Sequence, residues 1–116
     1  MVEDEVLIRL AVADYLRVCG YQVCEAANAS EAKALLNTLP SDLVFSDVNM
    51  PGENGLVLAE WIMLRHPAIP IVLTSGRNRS AESKFPAHIT ILPKPYRFED
   101  LKRLIQSLLR KAETVR

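Results

Sequence analysis

Short apolar runs alternate along this chain with longer segments that repeat apolar residues at helical spacing, and this alternation constrains the fold more than any other feature. The runs 43–46, 71–74 and 89–92 are short and mostly apolar, which is typical of strands covered on both faces. Helical periodicity extends over residues 6–19, 29–39, 56–64 and 98–112. The pattern predicts an α/β fold: a doubly wound parallel sheet whose right-handed crossovers place helices on both faces.

Turn and cap residues mark the ends of these segments. Gly20 follows the first helix where a left-handed C-terminal cap is expected, and Pro40 ends the second helix. Asn28 with Glu31 three positions later resembles a capping box. Residues 21–24 are rich in strand formers, so a short strand is predicted between the first two helices.

The pattern is irregular in two places. Only Met1 and Val2 precede the acidic pair Glu3 and Asp4, so the strand expected before the first helix is truncated. A truncated central strand leaves backbone groups that water or another chain must satisfy, and a homodimer formed by strand pairing is one expectation. Residues 75–88 contain a glycine, a proline and several charged residues, so the fourth helix expected there is short or mobile.

Length and charge exclude several classes of protein. The chain has 116 residues, of which 49% are hydrophobic, and we expect one domain over residues 1–116 without an output domain. It has neither an apolar membrane span nor a basic export signal, which favours the cytoplasm. Residues 1–60 carry 10 acids and 3 bases, and residues 61–116 carry 4 acids and 11 bases. The 22 residues after Lys94 are too few for a DNA-reading module, so the basic half is interpreted as a solvated helix.

Polar residues stand where the predicted strands end. Glu3 and Asp4 follow the first strand, while Asp47, Thr74 and Lys94 follow later ones. The carboxyl ends of parallel strands share one edge of the sheet, so these side chains should converge. Clustered carboxylates suit a hard cation such as Mg²⁺, and a lysine beside them suits phosphoryl chemistry. Each residue alone also has an ordinary explanation, such as a turn aspartate or an acid favouring a helix dipole, so the argument depends on their joint spacing.

These residues lie in four stretches that together resemble the receiver domain of two-component response regulators over nearly the whole chain. The stretches are Val2-Glu3-Asp4-Glu5, Ser46-Asp47-Val48-Asn49-Met50-Pro51-Gly52-Glu53-Asn54-Gly55, Leu73-Thr74-Ser75-Gly76 and Leu92-Pro93-Lys94-Pro95-Tyr96. The resemblance implies a flavodoxin-like, five-stranded sheet in the order 2-1-3-4-5. It also implies a phosphoprotein of a bacterial, cytoplasmic two-component phosphorelay.

The resemblance also implies roles for individual residues. Asp47 is expected to be the phosphoacceptor, taking its phosphoryl group from a phosphohistidine of a sensor histidine kinase or phosphotransfer protein. Lys94 would pair with one phosphoryl oxygen, and Thr74 would turn its hydroxyl toward another. Mg²⁺ is the implied cofactor, with ligands from the carboxylates of Glu3, Asp4 and Asp47 and the backbone carbonyl of Asn49. Such a protein assists only its own phosphoryl transfer and dephosphorylation.

The sequence departs from the family pattern near the output face. The position three before Lys94, often an aromatic that rotates with the threonine, is Ile91. The 20 positions from Thr74 to Lys94 lack the Gly-Ala step common before the fifth strand. We therefore expect loop and helix mobility to carry the signal to a protein partner through the fourth helix, fifth strand and fifth helix. An acidic partner surface would complement the basic residues Arg77, Arg79, Lys84, Arg97, Lys102 and Arg103.

Three readings compete: a phosphorylated switch, a haloacid-dehalogenase-like phosphatase, and a degenerate receiver that binds partners without phosphorylation. The phosphatase usually has a second aspartate two positions after its nucleophile, and here that position is Asn49. A degenerate receiver would be expected to lose an acid, the threonine or the lysine, and all are present. The phosphorylated switch is favoured.

Overall fold

A computed structural model describes residues 1–50, 52–76 and 89–114, with side chains described as far as residue 110. Over these residues helices and strands alternate as the sequence predicts. The elements are α1 (Val6–Val18), α2 (Ala29–Thr38), β1 (Val44–Asp47), α3 (Gly55–Arg65), β2 (Ile71–Ser75), β3 (Ile89–Pro93) and α4 (Phe98–Thr114). The fourth helix expected within residues 75–88 lies almost wholly outside the described residues.

The three strands form a parallel sheet in the order β1-β2-β3. In its register Val44 pairs with Ile71 and Asp47 with Thr74, while Thr74 pairs in turn with Leu92 of β3. All three strands run in one direction, so their carboxyl ends lie along a single edge. That edge carries Asp47 and Thr74 side by side.

The predicted truncation of the first strand is confirmed. Val2 forms isolated parallel bridges to Ala26 on one side and to Ser46 on the other. The Val2 N–H donates to the Phe45 carbonyl at 2.8 Å, and the Asp47 N–H donates to the Val2 carbonyl at 3.2 Å. Residues 1–3 thus lie between the Ala26 segment and β1, in the place that the order 2-1-3-4-5 gives to the first strand.

The prediction of a strand over residues 21–24 was wrong. The pairing on that side of Val2 is confined to a bridge at Ala26, and residues 21–25 have no regular secondary structure. A strand exists only where a neighbour offers a ladder of hydrogen bonds. The neighbour here is the three-residue segment ending at Glu3, which is too short to pair more of the chain.

Helices cover both faces of the sheet, and successive strand residues point to opposite faces. On one side Val44, Ile71 and Leu73 pack with residues of α2 and α3, including Leu36, Leu58 and Ile62. On the other side Phe45 and Val72 pack with α1 and α4 through Val12, Leu16, Leu101 and Ile105. This alternation explains why the strands read as continuous apolar runs rather than as alternating apolar and polar residues.

Side-chain caps begin two of the helices. Asn28 accepts from the Glu31 N–H at 2.9 Å, and the Glu31 side chain accepts from the Ala27 N–H at 2.8 Å, so the predicted capping interaction is confirmed. Gly20 has φ +100° after α1, the left-handed conformation expected of it.

Among the described residues, no helix combines the length and the apolar character needed to cross a membrane.

The junction between β1 and α3 is closely packed at Gly55. Asn54 caps α3 by accepting from the Val57 N–H at 2.9 Å, and the Gly55 N–H donates to the Val48 carbonyl at 2.8 Å. A β-carbon on Gly55 would overlap the Asp47 carbonyl oxygen and approach the Val48 Cα at 2.8 Å. The start of α3 therefore presses directly against the backbone of Asp47.

We expect Gly55→Ala to lower the free energy of unfolding by about 1–3 kcal/mol, because the backbone it would contact has to shift. Alanine is ordinarily the better helix residue, so the sign opposes helix propensity. Gly76→Ala is the control, since its β-carbon would meet only Lys94 side-chain atoms at 3.6 Å. Urea unfolding measures both variants, and a Gly55→Ala protein as stable as the native chain would contradict the tight junction.

Candidate functional site

The structure brings the three predicted acids together at the carboxyl edge of the sheet. Glu3, Asp4 and Asp47 each offer one carboxylate oxygen, and these oxygens lie within 4.8 Å of one another. Glu3 and Asp47 are each only 5% exposed, whereas Asp4 is partly exposed. The residues come from two segments, one following Val2 and one ending β1. The Val2 bridge to Ser46 places these segments side by side.

Asp47 is engaged through both of its carboxylate oxygens. The Lys94 ammonium lies 2.7 Å from its Oδ2 atom, and the Asn49 N–H donates to its Oδ1 atom at 3.1 Å. Lys94 follows β3, and its own N–H donates to the Ser75 carbonyl at 3.0 Å, which extends the pairing between β2 and β3. The predicted convergence of Asp47 and Lys94 is therefore an ion pair, with an exposed fraction of 33% at the lysine side chain.

Thr74 lies beside Asp47 in the register of β1 and β2 and is 1% exposed. Its hydroxyl oxygen has no hydrogen-bond partner within the described part of the chain. A buried polar group left without a partner destabilises the fold by about 1–3 kcal/mol. The neighbouring Ser46 differs, because its hydroxyl donates to the Asp47 carbonyl at 2.9 Å. Thr74 therefore holds an uncommitted hydroxyl at the rim of the acidic cluster.

Burial raises the pKa of Glu3 above its ordinary value. The loss of solvent is the largest cause, and the neighbouring carboxyls of Asp4 and Asp47 act in the same direction. The Glu5 N–H donates to the Glu3 Oε2 atom at 3.0 Å, and that hydrogen bond and the Lys94 charge act in the opposite sense. Burial of Glu3, reinforced by the neighbouring carboxyls, therefore outweighs the hydrogen bond and the lysine charge that favour its ionised form.

The donor set suits a small, hard divalent cation. Mg²⁺ in proteins is usually held by one or two carboxylates and several waters, and this edge offers three carboxylate oxygens within 4.8 Å of one another. Burial is the main cause of the raised pKa of Glu3 and the neighbouring carboxyls add to it, so a cation held here would favour the ionised form. The residues present therefore fit the magnesium site that the sequence predicts.

The loop after Asp47 is braced from α2. Glu53, at the end of this loop, pairs with Lys33 at 2.6 Å between Oε2 and Nζ. The same ammonium lies 5.5 Å from the centre of the Trp61 ring on α3, a cation–π distance. Lys33 thus links α2 and α3 to Glu53 in the loop that follows Asp47.

Sequence reasoning missed two residues next to this site. Burial, together with the charges of Glu3 and Asp47, raises the pKa of Tyr96 to about 12, and its ring packs edge-on against Phe45 with centroids 5.9 Å apart. Arg9 donates from its guanidinium to the Glu3 carbonyl at 2.9 Å. The signal for Arg9 was available, because helical spacing puts this charged residue on the same face of α1 as Val12 and Leu16.

Comparisons with known proteins point to one family. The family model described as the response regulator receiver domain matches residues 1–106. The chain is 34% identical to the sensor kinase CckA of Brucella abortus, covering 97% of this chain and 12% of that protein. It is 36% identical to the transcriptional regulatory protein PdtaR of Mycobacterium tuberculosis, covering 85% of this chain and 50% of that protein. The chain thus spans half or less of the length of these curated relatives.

Solved structures agree on the fold. A CheY-like receiver domain protein from Methanospirillum hungatei superposes with a TM-score of 0.92 at 25% identity, covering 99% of this chain and 94% of that one. The receiver domain of NtrX from Brucella abortus gives a TM-score of 0.83 at 30% identity, covering 94% and 95%. The predicted α/β fold with a parallel sheet and flanking helices is confirmed.

The raised pKa of Glu3 predicts how stability depends on pH when divalent cations are removed. The folded state binds this proton more tightly than the unfolded state, so stability falls as pH rises from the ordinary value of 4.5 toward the folded-state pKa. We expect Glu3→Gln to unfold at higher urea than the native chain at pH 7 in EDTA, with the difference shrinking toward pH 4.5. Glu5→Gln, at an exposed neighbouring position, is the control. A Glu3→Gln protein less stable than native at pH 7 would contradict the direction of the shift.

Proposed function

Because the chain belongs to the response regulator receiver domain family, we propose that Asp47 accepts a phosphoryl group from a phosphohistidine of a sensor histidine kinase or phosphotransfer protein. The observation that carries this proposal is the setting of Asp47, whose carboxylate contacts Lys94 at 2.7 Å and shares a 4.8 Å cluster with Glu3 and Asp4. Bacterial relatives of two-component systems support the same role. The reaction would take place in the cytoplasm, where such kinases present their phosphohistidine.

In the transfer, an Asp47 carboxylate oxygen forms a bond to phosphorus while the phosphorus–nitrogen bond of the donor breaks. The imidazole leaves with the electron pair and needs no strong base from this chain, so positioning and charge stabilisation dominate the rate. Lys94 starts on the Asp47 Oδ2 atom and can move to a phosphoryl oxygen as the new bond forms. The Asn49 N–H holds the other carboxylate oxygen in place.

Glu3, Asp4 and Asp47, with the Asn49 backbone carbonyl, would hold Mg²⁺. When bound, this ion neutralises phosphoryl oxygens and the crowded carboxylates together. Glu3 and Asp4 act by keeping their carboxylates beside Asp47 at the sheet edge. The chain works on its own phosphoryl group only, and no second substrate is proposed.

Phosphorylation would change partner binding through Thr74. The phosphoryl group adds about −1.5 to −2 charges beside Thr74 and Lys94, and the Thr74 hydroxyl gains an acceptor there. Ile91 is partly buried against the core and cannot rotate as a gating aromatic would. The signal is therefore proposed to pass from the segment after Ser75 to β3 and α4.

The output partner is proposed to be a protein with an acidic surface, with no direct contact to nucleic acid or membrane. Lys102 and Arg103 on α4 and Arg97 before it are at least partly exposed. The basic residues Arg77, Arg79 and Lys84, which support the same expectation, lie outside the described residues. A homodimer formed through the short central strand stays part of the proposal, because Val2 alone makes the bridges on both sides.

The alternative is a degenerate receiver that binds partners independently of phosphorylation. It is disfavoured because every residue of the proposed chemistry is present and clustered: Glu3, Asp4, Asp47, Thr74 and Lys94.

A phosphatase role is disfavoured because Asn49, which has no ionisable group, stands where the acid–base aspartate would be.

We expect the native chain to gain the mass of one phosphoryl group on incubation with Mg²⁺ and acetyl phosphate, and Asp47→Asn to gain none. Intact-protein mass spectrometry measures the change. Asp42→Asn, an exposed acid just before β1, is the matched control and should label like the native chain. Equal labelling of Asp47→Asn, with the phosphate mapped to Ser46 or Thr74, would end the assignment. A native chain that takes no label would instead favour the degenerate receiver.

Thr74→Val should separate switching from folding. Valine replaces a buried hydroxyl that has no partner within the described ranges, so the resting protein should be at least as stable as native. The variant should still take the phosphoryl group at Asp47. Amide hydrogen exchange of β3 and α4 should no longer respond to beryllofluoride, which mimics the phosphoryl group. Thr90→Val on β3 is the control and should keep the response. A full response in Thr74→Val would remove this residue from the switch.

A further inference from the structure

A network of two arginines and a glutamate lies directly behind the acidic cluster. Arg9 reaches from α1 to the Glu3 carbonyl with its NH1 atom at 2.9 Å and to the Glu25 Oε1 atom with its Nε atom at 3.5 Å. Arg17, two turns further along α1, contacts the other Glu25 oxygen at 3.0 Å and donates to the Val23 carbonyl at 2.7 Å. One carboxylate is thus shared by two guanidinium groups.

Because the first strand is truncated, this network holds a stretch of backbone that a longer strand would hold by pairing. In a longer central strand a ladder of backbone hydrogen bonds would fix the approach to the acidic pair, but here only Val2 forms bridges. The Glu3 N–H bonds the Ala26 carbonyl at 2.9 Å, while the Glu3 carbonyl, where the chain turns toward Asp4, accepts from Arg9. The Glu5 cap makes no side-chain hydrogen bond to α1. Arg9 therefore holds this turn from α1, alongside the Glu3 side chain, which accepts from the Glu5 N–H at 3.0 Å.

We propose that Arg9 is a positioning residue of the metal site, holding the Glu3–Asp4 backbone so that both carboxylates face Asp47. Arg9 does not touch the cation or the phosphoryl group and acts through the Glu3 carbonyl. The inference rests on the proposed magnesium site and adds a residue to it. An arginine is required because its rigid fork contacts Glu3 and Glu25 at the same time, whereas a lysine presents one compact ammonium.

Charge alone would have the opposite effect. A positive guanidinium near the cluster repels a divalent cation, so removing it should strengthen binding if its field were all that mattered. The Glu25 carboxylate offsets only part of that field, because it also pairs with Arg17. Positioning predicts weaker binding without Arg9 and weaker binding with lysine in its place. The sign of the change, and the behaviour of the lysine variant, separate the two effects.

The experiment is a calorimetric titration of the full chain with Mg²⁺ at constant ionic strength, for native, Arg9→Lys, Arg9→Gln and Arg17→Gln proteins. Urea unfolding in EDTA confirms that each variant is folded. Arg17→Gln is the matched control, because it removes a guanidinium from the same Glu25 without touching Glu3. We expect roughly tenfold weaker magnesium binding in both Arg9 variants, at the low end of what outer-shell partners contribute. Arg17→Gln should bind as the native chain does.

Each result decides the matter. Arg9→Lys binding Mg²⁺ as tightly as native would overturn the proposal, as would tighter binding by Arg9→Gln, since either assigns the effect to charge. Equal weakening in Arg9→Gln and Arg17→Gln would also overturn it, because the effect would then belong to the packing of α1. A native chain that fails to bind Mg²⁺ would overturn the metal site itself and this inference with it.

Discussion

Repulsion among Glu3, Asp4 and Asp47 is the interaction on which the rest of the site depends. Their oxygens lie within 4.8 Å of each other at an edge where two of the side chains are almost fully buried. Like charges at about this distance oppose each other by about 1 kcal/mol in water and by more where water is excluded. The Lys94 ammonium offsets part of that repulsion, as do the N–H groups of Asn49 and Glu5. The repulsion that remains among the three carboxylates favours the binding of a divalent cation and of a charged ligand at this edge.

Contacts of the sheet backbone keep the Asp47 carboxylate close to those of Glu3 and Asp4. Asp47 is fixed on one side by the Val2 bridge, on the other by pairing with Thr74, and from above by the start of α3 at Gly55. None of these contacts leaves room for the carboxylate to withdraw along the backbone. Relief must come from side chains and ligands, and the cation that contacts Asp47 is a lysine on a flexible stem.

The parts of the site that follow from strand periodicity could be predicted from sequence. Asp47, Thr74 and Lys94 each end or follow a strand, and parallel strands bring such positions to one edge whatever their separation along the chain. The strand over residues 21–24 could not be judged in the same way, because a strand depends on a neighbour, and the short stub at Val2 supplies too few partners. The strand propensity of residues 21–24 does not depend on whether a neighbouring segment is long enough to pair with them.

Contacts that depend on how a helix is rotated against the sheet also escaped prediction. Arg9 lies on the buried face of α1 by its spacing, but its partner Glu25 comes from an irregular segment whose path no periodicity describes. The capping interaction of Asn28 and Glu31 was predictable because both groups lie within one turn. The predictable contacts follow from regular strand periodicity or lie within one helical turn, and the contact of Arg9 with Glu25 does neither.

Among the described residues the Thr74 hydroxyl has no hydrogen-bond partner, and a buried hydroxyl in that state lowers the stability of the resting conformation. A two-state protein responds to a ligand only by the difference in affinity between its states, and it responds most strongly when the states are close in free energy. A penalty that the proposed phosphoryl contact relieves would bring the two states closer in free energy before any ligand binds. A chain that satisfied every polar group at rest would be the more stable protein and the harder one to switch.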